Sequence, residues 1–526
     1  MERNVPSPES SGPSVAFPSW RHLNGYHCYV FALAALGWMF DAMDQQIFTN
    51  SRSITLTELL PHASEARINQ VGGYVTSAFI AGWACGGLLF GVLGDKWGRV
   101  KTMAVTILIY AGFTGLSAWS PDWEIFGLCR FLTGLGVGGE FAVGAALVAE
   151  VMPSAVRTHA LGLMQALAAV GTILAAWLLG AVVPHWGWPG LYYIGALPAL
   201  VAVLVFGSLR EPAKWVAAKA AAQAAGKDAV GHFGVMSELF TDARWRRRTL
   251  VGAALGLSGI IGLWGAVYWS PELIDTAIPS LELATRPKVM ALLRAGPEQR
   301  AEVAKTMQPA EAEQVARLLV KTLWPGQKLA TEEALIRSLT PGETATMTVL
   351  VQHAVTKNEK TQIKSKALML QQVGSFFGVL AFTVFAARFG RRRAFLIALL
   401  MAWSSVVTTF YWFREPGQIW YFYPWLGFGA LAVFGGYAIY FPELFPTRLR
   451  STGTGFCYNV SRFVAIVGPL TMGALAQSLE GVSSIPAFRL AAIIMASAYF
   501  IGIVALIWAP ETRGQRLPEE ELDGAA

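Results

Sequence analysis

Charge is scarce in this chain: only 14% of its 526 residues are Asp, Glu, Lys or Arg, against roughly a quarter in ordinary soluble domains. With 54% of the residues hydrophobic and a mean hydropathy of +0.45, a water-soluble fold has too little polar surface to cover its interior. Repeated apolar stretches of about 20 residues are long enough to cross a hydrocarbon core of about 30 Å as helices. Cysteine is equally sparse. Cys28, Cys85, Cys129 and Cys457 lie in or at the ends of apolar runs, where they pack as small hydrophobes and imply no disulfide framework. The polar, Pro- and Ser-rich start lacks the apolar core and cleavage site of a signal peptide, and reads as a cytoplasmic tail over residues 1–25. No nucleophile constellation or metal-ligand spacing occurs, so neither an enzyme nor a cofactor finds support. The net charge of +7 sits in loops between apolar runs and not on one basic face, which argues against a nucleic-acid partner.

One motif challenges the absence of nucleotide chemistry. "RFLTGLGVGGE" places Gly134, Gly136 and Gly139 in the order G-x-G-x-x-G, the spacing that cradles a dinucleotide pyrophosphate between a strand and a helix N-terminus. Here the flanks continue one apolar run in both directions. Small residues at this spacing instead let membrane helices approach closely, because lipid supplies no hydrophobic drive between helices.

Twelve apolar spans can be counted. The first six lie near residues 26–48, 71–94, 101–119, 123–150, 159–184 and 190–209; the second six lie near 249–270, 366–387, 394–413, 418–442, 452–477 and 487–509. Short loops carrying Lys96, Arg99 and Lys101, then Arg388 and Arg391 to Arg393, then Arg448 and Arg450, all fall on one side, whereas "SPDW" and "HWGWPG" opposite carry no Lys or Arg. The positive-inside rule makes the basic side, and both termini, cytoplasmic.

The two sets of spans repeat each other. Glu150, Pro153 and Arg157 recur as Glu443, Pro446 and Arg450, 293 residues later; Gly134 and Gly136 recur as Gly427 and Gly429 at the same shift; "WGRV" from Trp97 recurs as "FGRR" from Phe389 after 292. Two parallel six-helix halves suit a transporter rocking about a midplane site. The segments are a six-helix half at 26–210, a central cytoplasmic loop at 211–248, a second half at 249–510 and a tail at 511–526. The second half is lengthened between its first two spans, which defines an extracytoplasmic insert at 271–365. Its helical periodicity, broken by Pro-Gly punctuation, reads as a small helical cap, with a substrate-capturing or partner-binding domain as the alternative.

"GVLGDKWGRVKT", "RFLTGLGVGGE", "EVMPSAVR" and "PETRGQRL" together resemble the signatures of the major facilitator superfamily, in its metabolite:proton symporter and sugar-porter branches. The resemblance covers the membrane portion and not the insert. It implies an all-α membrane protein with the major facilitator fold. It further implies that Asp95, Arg99, Glu150, Arg157, Arg391, Glu443 and Arg450 form a cytoplasmic ion-pair latch for the outward-facing state. Ala387 stands where the counterpart of Asp95 is expected, so the second latch is incomplete.

Charges inside the spans are costly, at least about 2.5 to 3.5 kcal/mol each on insertion scales. Arg130 and Glu140 in the fourth span are unrepeated, their counterparts being Tyr423 and Val433. In the first span Asp41 and Asp44 lie three apart, on one helical face. The resemblance implies that Asp44 faces Arg130 and takes part in proton coupling; the alternative is a permanent ion pair fixing the two helices. Glu140, without an evident local cation, is a second proton site. Arg462 is also unrepeated, matching Ala169, and suits a carboxylate held through a bidentate fork; its alternative is a pairing with a carboxylate on a neighbouring helix. Tyr458, Asn459, Gln371 and Gln372 can add neutral hydrogen bonds. The sequence thus points to a proton-coupled symporter of a small organic anion in a bacterial inner membrane, working as a monomer surrounded by lipid. A sugar:proton symporter is the second reading, and a non-transporting receptor on the same scaffold is the third.

Overall fold

The computed structural model describes residues 23–61, 63–225, 231–275, 341–466, 468–483, 485–515, 517 and 518. The body of the expected insert, 276–340, lies outside them. Ten helices are long and apolar enough to span a bilayer. With the first helix and one broken segment, they form a single all-helical bundle in which the described residues include no strand. In chain order the first half is α1 (Gly25–Leu59), α2 (Glu65–Trp97), α3 (Arg99–Ser117), α4 (Trp123–Val151), α5 (Ser154–Val183) and α6 (His185–Ser208). After the connecting helix Ala213–Ala225, the second half comprises α7 (Ala243–Gly265), α8 (Pro341–Phe389), α9 (Arg391–Trp412), α10 (Ile419–Leu444), α11 (Arg450–Asn459, Arg462–Ala465 and Gly468–Ser478) and α12 (Ala487–Ala505).

Local chemistry sets several boundaries. Ser64 and Asp122 cap α2 and α4 by accepting the backbone N–H of Arg67 and Ile125, which satisfies donors that have no intrahelical partner. The α2–α3 and α8–α9 corners turn on Gly98 and Gly390, at φ +119° and +96°, a region that side chains with a Cβ avoid. Three boundaries differ from the sequence expectation. α8 begins at Pro341, inside the expected insert and 25 residues before the expected span. α1 runs to Leu59, eleven residues past residue 48, because its polar extension stays tethered: Arg52 donates to Thr76 on α2, and Trp188 on α6 donates to Glu58. α11 is not continuous, since its regular helix stops at Asn459 and restarts at Arg462.

The glycines of the fourth span pack helices. A Cβ on Gly134 would overlap the Phe79 carbonyl and one on Gly138 the Trp83 carbonyl, both on α2, while Gly136 faces the α3 backbone at Tyr110 and Thr106. Their repeats do the same in the other half, with Gly427 against the Gln371 carbonyl of α8 and Gly429 against Ser405 of α9. Close backbone contact of this kind supplies the dispersion energy that lipid cannot replace.

Candidate functional site: a central cavity and a closed basic end

A cavity of about 270 Å³ lies between the halves, walled by α1, α2, α5, α7, α8, α10 and α11. Its polar wall includes Asp41, Gln45 and Gln46 of α1, Gln371 and Gln372 of α8, and Arg462. Arg462 sits where α11 restarts, at the kind of helix discontinuity that lines substrate sites in transporters. Its Nη1 donates to the Tyr458 carbonyl at 2.7 Å and to Asn459 Oδ1 at 3.1 Å. The guanidinium lies 4.1 Å from the Trp83 ring centroid and 4.4 Å from that of Tyr458, a desolvated cation–π arrangement. Among the described residues it makes no ion pair, and its Nε is unbonded. Asp41 is its nearest acidic influence.

The other predicted ligands divide. Tyr458 lines the cavity and stacks on Phe141, with centroids 3.8 Å apart. Gln371 lines it too and accepts from Ser270. Asn459 does not reach the wall: its amide is pressed against Gly87 of α2 and donates to the Gly455 carbonyl. Its Oδ1 accepts from Arg462.

Asp44 and Arg130 are brought together, fully buried, with Oδ2 and Nη1 3.6 Å apart. That separation is an ion pair without a hydrogen bond, because each charge has its own anchor. Thr114 donates to Asp44 Oδ1 at 2.7 Å, Arg130 Nη2 donates to Ser117 at 2.7 Å, and the rings of Phe48, Phe126 and Tyr192 surround the guanidinium at 5.0 to 5.9 Å. Asp41 lies one turn away on the cavity wall, with Oδ1 unbonded. Glu140 is off the cavity, its carboxylate against Gly37 of α1 and neither oxygen hydrogen-bonded. Among the described residues no group of His, Cys, Asp and Glu suits a metal ion.

At the basic end the halves are locked. Arg99 binds Asp95 at 2.8 Å and Glu150 at 2.9 Å, and Glu150 also binds Arg450 of the other half at 2.8 Å. Asp95 accepts the N–H groups of Ser451 and Thr452, capping the start of α11. In the copy, Arg391 binds Glu443 at 2.7 Å and reaches the first half at the Thr158 hydroxyl. Arg157 lines a cavity of about 600 Å³ at this end together with Glu150, Arg391 and Glu443.

Sequence reasoning missed several residues. Glu211 and Glu511, 300 residues apart, each accept the first N–H groups of a corner helix earlier in the chain, α3 and α9 respectively. The recurring Glu after each half's last span, in "REPAKW" and "PETRGQ", was the signal available. Arg489 donates to the Phe410 and Phe413 carbonyls at the end of α9. Trp83 gave no signal, since nothing in its local pattern marks it as a partner of Arg462.

A polytopic helical protein with two pseudo-repeated halves, a polar cavity between them and one end latched defines the class of alternating-access membrane transporters. The profile of the Major Facilitator Superfamily matches residues 29–295 and 342–525, and the chain belongs to that family. It is 26% identical over 497 residues to a metabolite transport protein of Haemophilus influenzae, covering 94% of this chain and 95% of that one. It is 24% identical over 482 residues to the cis,cis-muconate transport protein of Acinetobacter baylyi, covering 91% and 94%. A shorter match, 31% over 186 residues and 35% of this chain against 41% of the relative, is to the niacin transporter of Acinetobacter baylyi. Among solved structures it matches the proton:xylose symporter XylE, with a TM-score of 0.64 at 16% identity over 95% of this chain and 99% of that one. The human organic anion transporter MFSD10 gives 0.55 at 15%, over 92% and 100%. These two show the shared fold.

Proposed function

We propose that the protein is a proton-coupled symporter of a small organic anion, with its basic end in the cytoplasm of a bacterial inner membrane. The observation that carries the reading is Arg462. A buried guanidinium on a cavity wall, sandwiched between two aromatic rings and without an ion-pair partner among the described residues, is costly unless a ligand supplies the missing anion. Relatives named for the transport of muconate and sialic acid agree with an acidic substrate. The aromatic wall of Trp83, Tyr458 and Trp38 favours a planar acid.

Coupling follows from the paired anchors. With the basic end closed, the cavity admits substrate and protons from the opposite side, and Asp41 on the wall lies one helical turn from Asp44. Protonation of Asp44 removes its attraction for Arg130. Because Thr114 and Ser117 hold the two groups separately, the pair can part without leaving either side chain wholly unbonded. α1 is then released from α4 and the halves can rock. Glu140, also bearing on α1, is the second candidate carrier.

A sugar:proton symporter is favoured by one observation, the amide-rich wall of Gln45, Gln46, Gln371 and Gln372. The test separates the two. In proteoliposomes carrying an internal pH dye, addition of monocarboxylates, aromatic acids, acidic sugars or neutral sugars reports proton entry with substrate. Acidification by a carboxylate, abolished in Arg462→Ala, is expected; acidification by neutral sugars alone would overturn the organic-anion reading.

A further inference from the structure

Outside the central cavity, a groove of about 480 Å³ lies between the start of α7 and the end of α12. Its walls are Leu250, Ile501 and Val504, exposed on two membrane-spanning helices, and Trp508, half exposed at the interface. Its mouth at the basic end carries Arg246 and Arg247, both exposed, and no acidic residue lines it. Arg247 is held across the groove by a bond from its Nε to the Trp508 carbonyl at 3.1 Å, which leaves its two terminal nitrogens facing outward.

We infer that this groove is a binding site for an anionic glycerophospholipid, whose phosphate lies on Arg246 and Arg247 and whose acyl chains lie along Leu250, Ile501 and Val504. Three observations converge on that occupant. The apolar faces belong to spanning helices, so acyl chain is what meets them in a bilayer. The cations sit at the span's end, where headgroup phosphates lie, and basic pockets between membrane helices on the positive side select anionic lipids. A Trp at that depth marks the headgroup interface. The planar forks of two adjacent arginines can grip one phosphate with more direction than lysines.

The test is native mass spectrometry of the full-length purified protein in detergent, titrated with phosphatidylglycerol or phosphatidylcholine, with thermal unfolding followed in the same mixtures. Wild type is expected to retain phosphatidylglycerol over phosphatidylcholine and to unfold several degrees higher with it. Arg246→Gln should bind about five-fold more weakly, and Arg246→Gln with Arg247→Gln should lose the preference. The Arg246 side chain makes no bond among the described residues, so its single variant keeps the test alive if the double variant fails to fold. The control Arg388→Gln with Arg393→Gln removes two other exposed arginines from the same end and should bind as wild type. Equal loss in the control would reduce the effect to general surface charge. Equal retention of phosphatidylcholine, or equal protection by inorganic phosphate alone, would also overturn the site.

Discussion

The two halves share a frame and differ in chemistry. Glycine pairs pack α4 on α2 and α3, and α10 on α8 and α9; Arg99–Glu150 is copied as Arg391–Glu443; Glu211 and Glu511 close matching corners. The charges in mid-span are not copied. Where the first half has Arg130, the second has Tyr423, whose hydroxyl donates to the Ser270 carbonyl and ties α10 to the end of α7; where it has Glu140, the second has Val433. Conversely, the cavity arginine belongs to the second half, opposite Ala169. What repeats holds the helices. Under the proposed function, what does not repeat puts the coupling pair in one half and the anion site in the other, with Asp41 and Arg462 lining one cavity.

The division breaks most sharply at Asp44. Asp44→Asn should bring uphill accumulation down to about one-to-one while substrate exchange at equal concentrations persists, because a binding linkage needs a titrating group. Full gradient-driven uptake by this variant would sink the scheme. Arg130→Gln should do more damage to the fold, since it strands a buried carboxylate and costs about 3 to 5 kcal/mol; denaturant unfolding checks it. Next in size is Arg462→Lys, which keeps the charge but loses the planar fork and much of the ring sandwich. Together these are worth about 2 kcal/mol, or roughly a thirty-fold weaker binding of the anion. A titration of substrate-induced Trp fluorescence would read it, and an unchanged affinity would move the substrate away from Arg462.

The sequence made the frame legible because its residues recur at one offset and glycine periodicity survives in any apolar context. It also exposed the unrepeated charges, since a membrane span tolerates few. It did not disclose their anchors. Thr114 and Ser117 look like ordinary hydroxyl residues of α3, and only the crossing of α3 over α4 brings them to Asp44 and Arg130. Asn459, expected to add a neutral hydrogen bond, lies against Gly87 of α2, a neighbour on another helix. Local spacing fixes which side chains share a helix face; partners across helices depend on crossing geometry that no local pattern encodes.

The latches give a smaller comparison. Asp95 caps the start of α11, whereas Ala387 leaves the start of α5 without a side-chain cap. Ala387→Asp should supply one, stabilise the closed basic end by about 1 kcal/mol and slow turnover. Glu150→Gln should do the reverse, loosening the bridge among Arg99, Glu150 and Arg450. Alkylation rates of a cysteine introduced at Ser154, in the cavity beside the second latch, would fall in the first variant and rise in the second. Equal rates in both would mean that the end is held by packing and not by charge.

The smallest effect lies at the corner carboxylate Glu511, outside the spans. Partial burial pushes its carboxyl upward, but backbone N–H groups of Arg391, Arg513 and Arg392, with the Arg391 guanidinium, outweigh burial and hold it below the ordinary 4.5. A depressed carboxylate contributes stability that is fully present above its unfolded value and is lost as pH falls through the folded one. The gap between wild type and Glu511→Gln should therefore be constant from pH 7 down to about 5. It should then shrink toward zero below 4.5, from a starting size of about 0.3 to 1 kcal/mol, as expected for an acid at a helix N-terminus. Melting temperatures of the two proteins across pH 3.5 to 7 measure it. A gap that persists at the acid end would mean that Glu511 holds α9 through shape and not through charge.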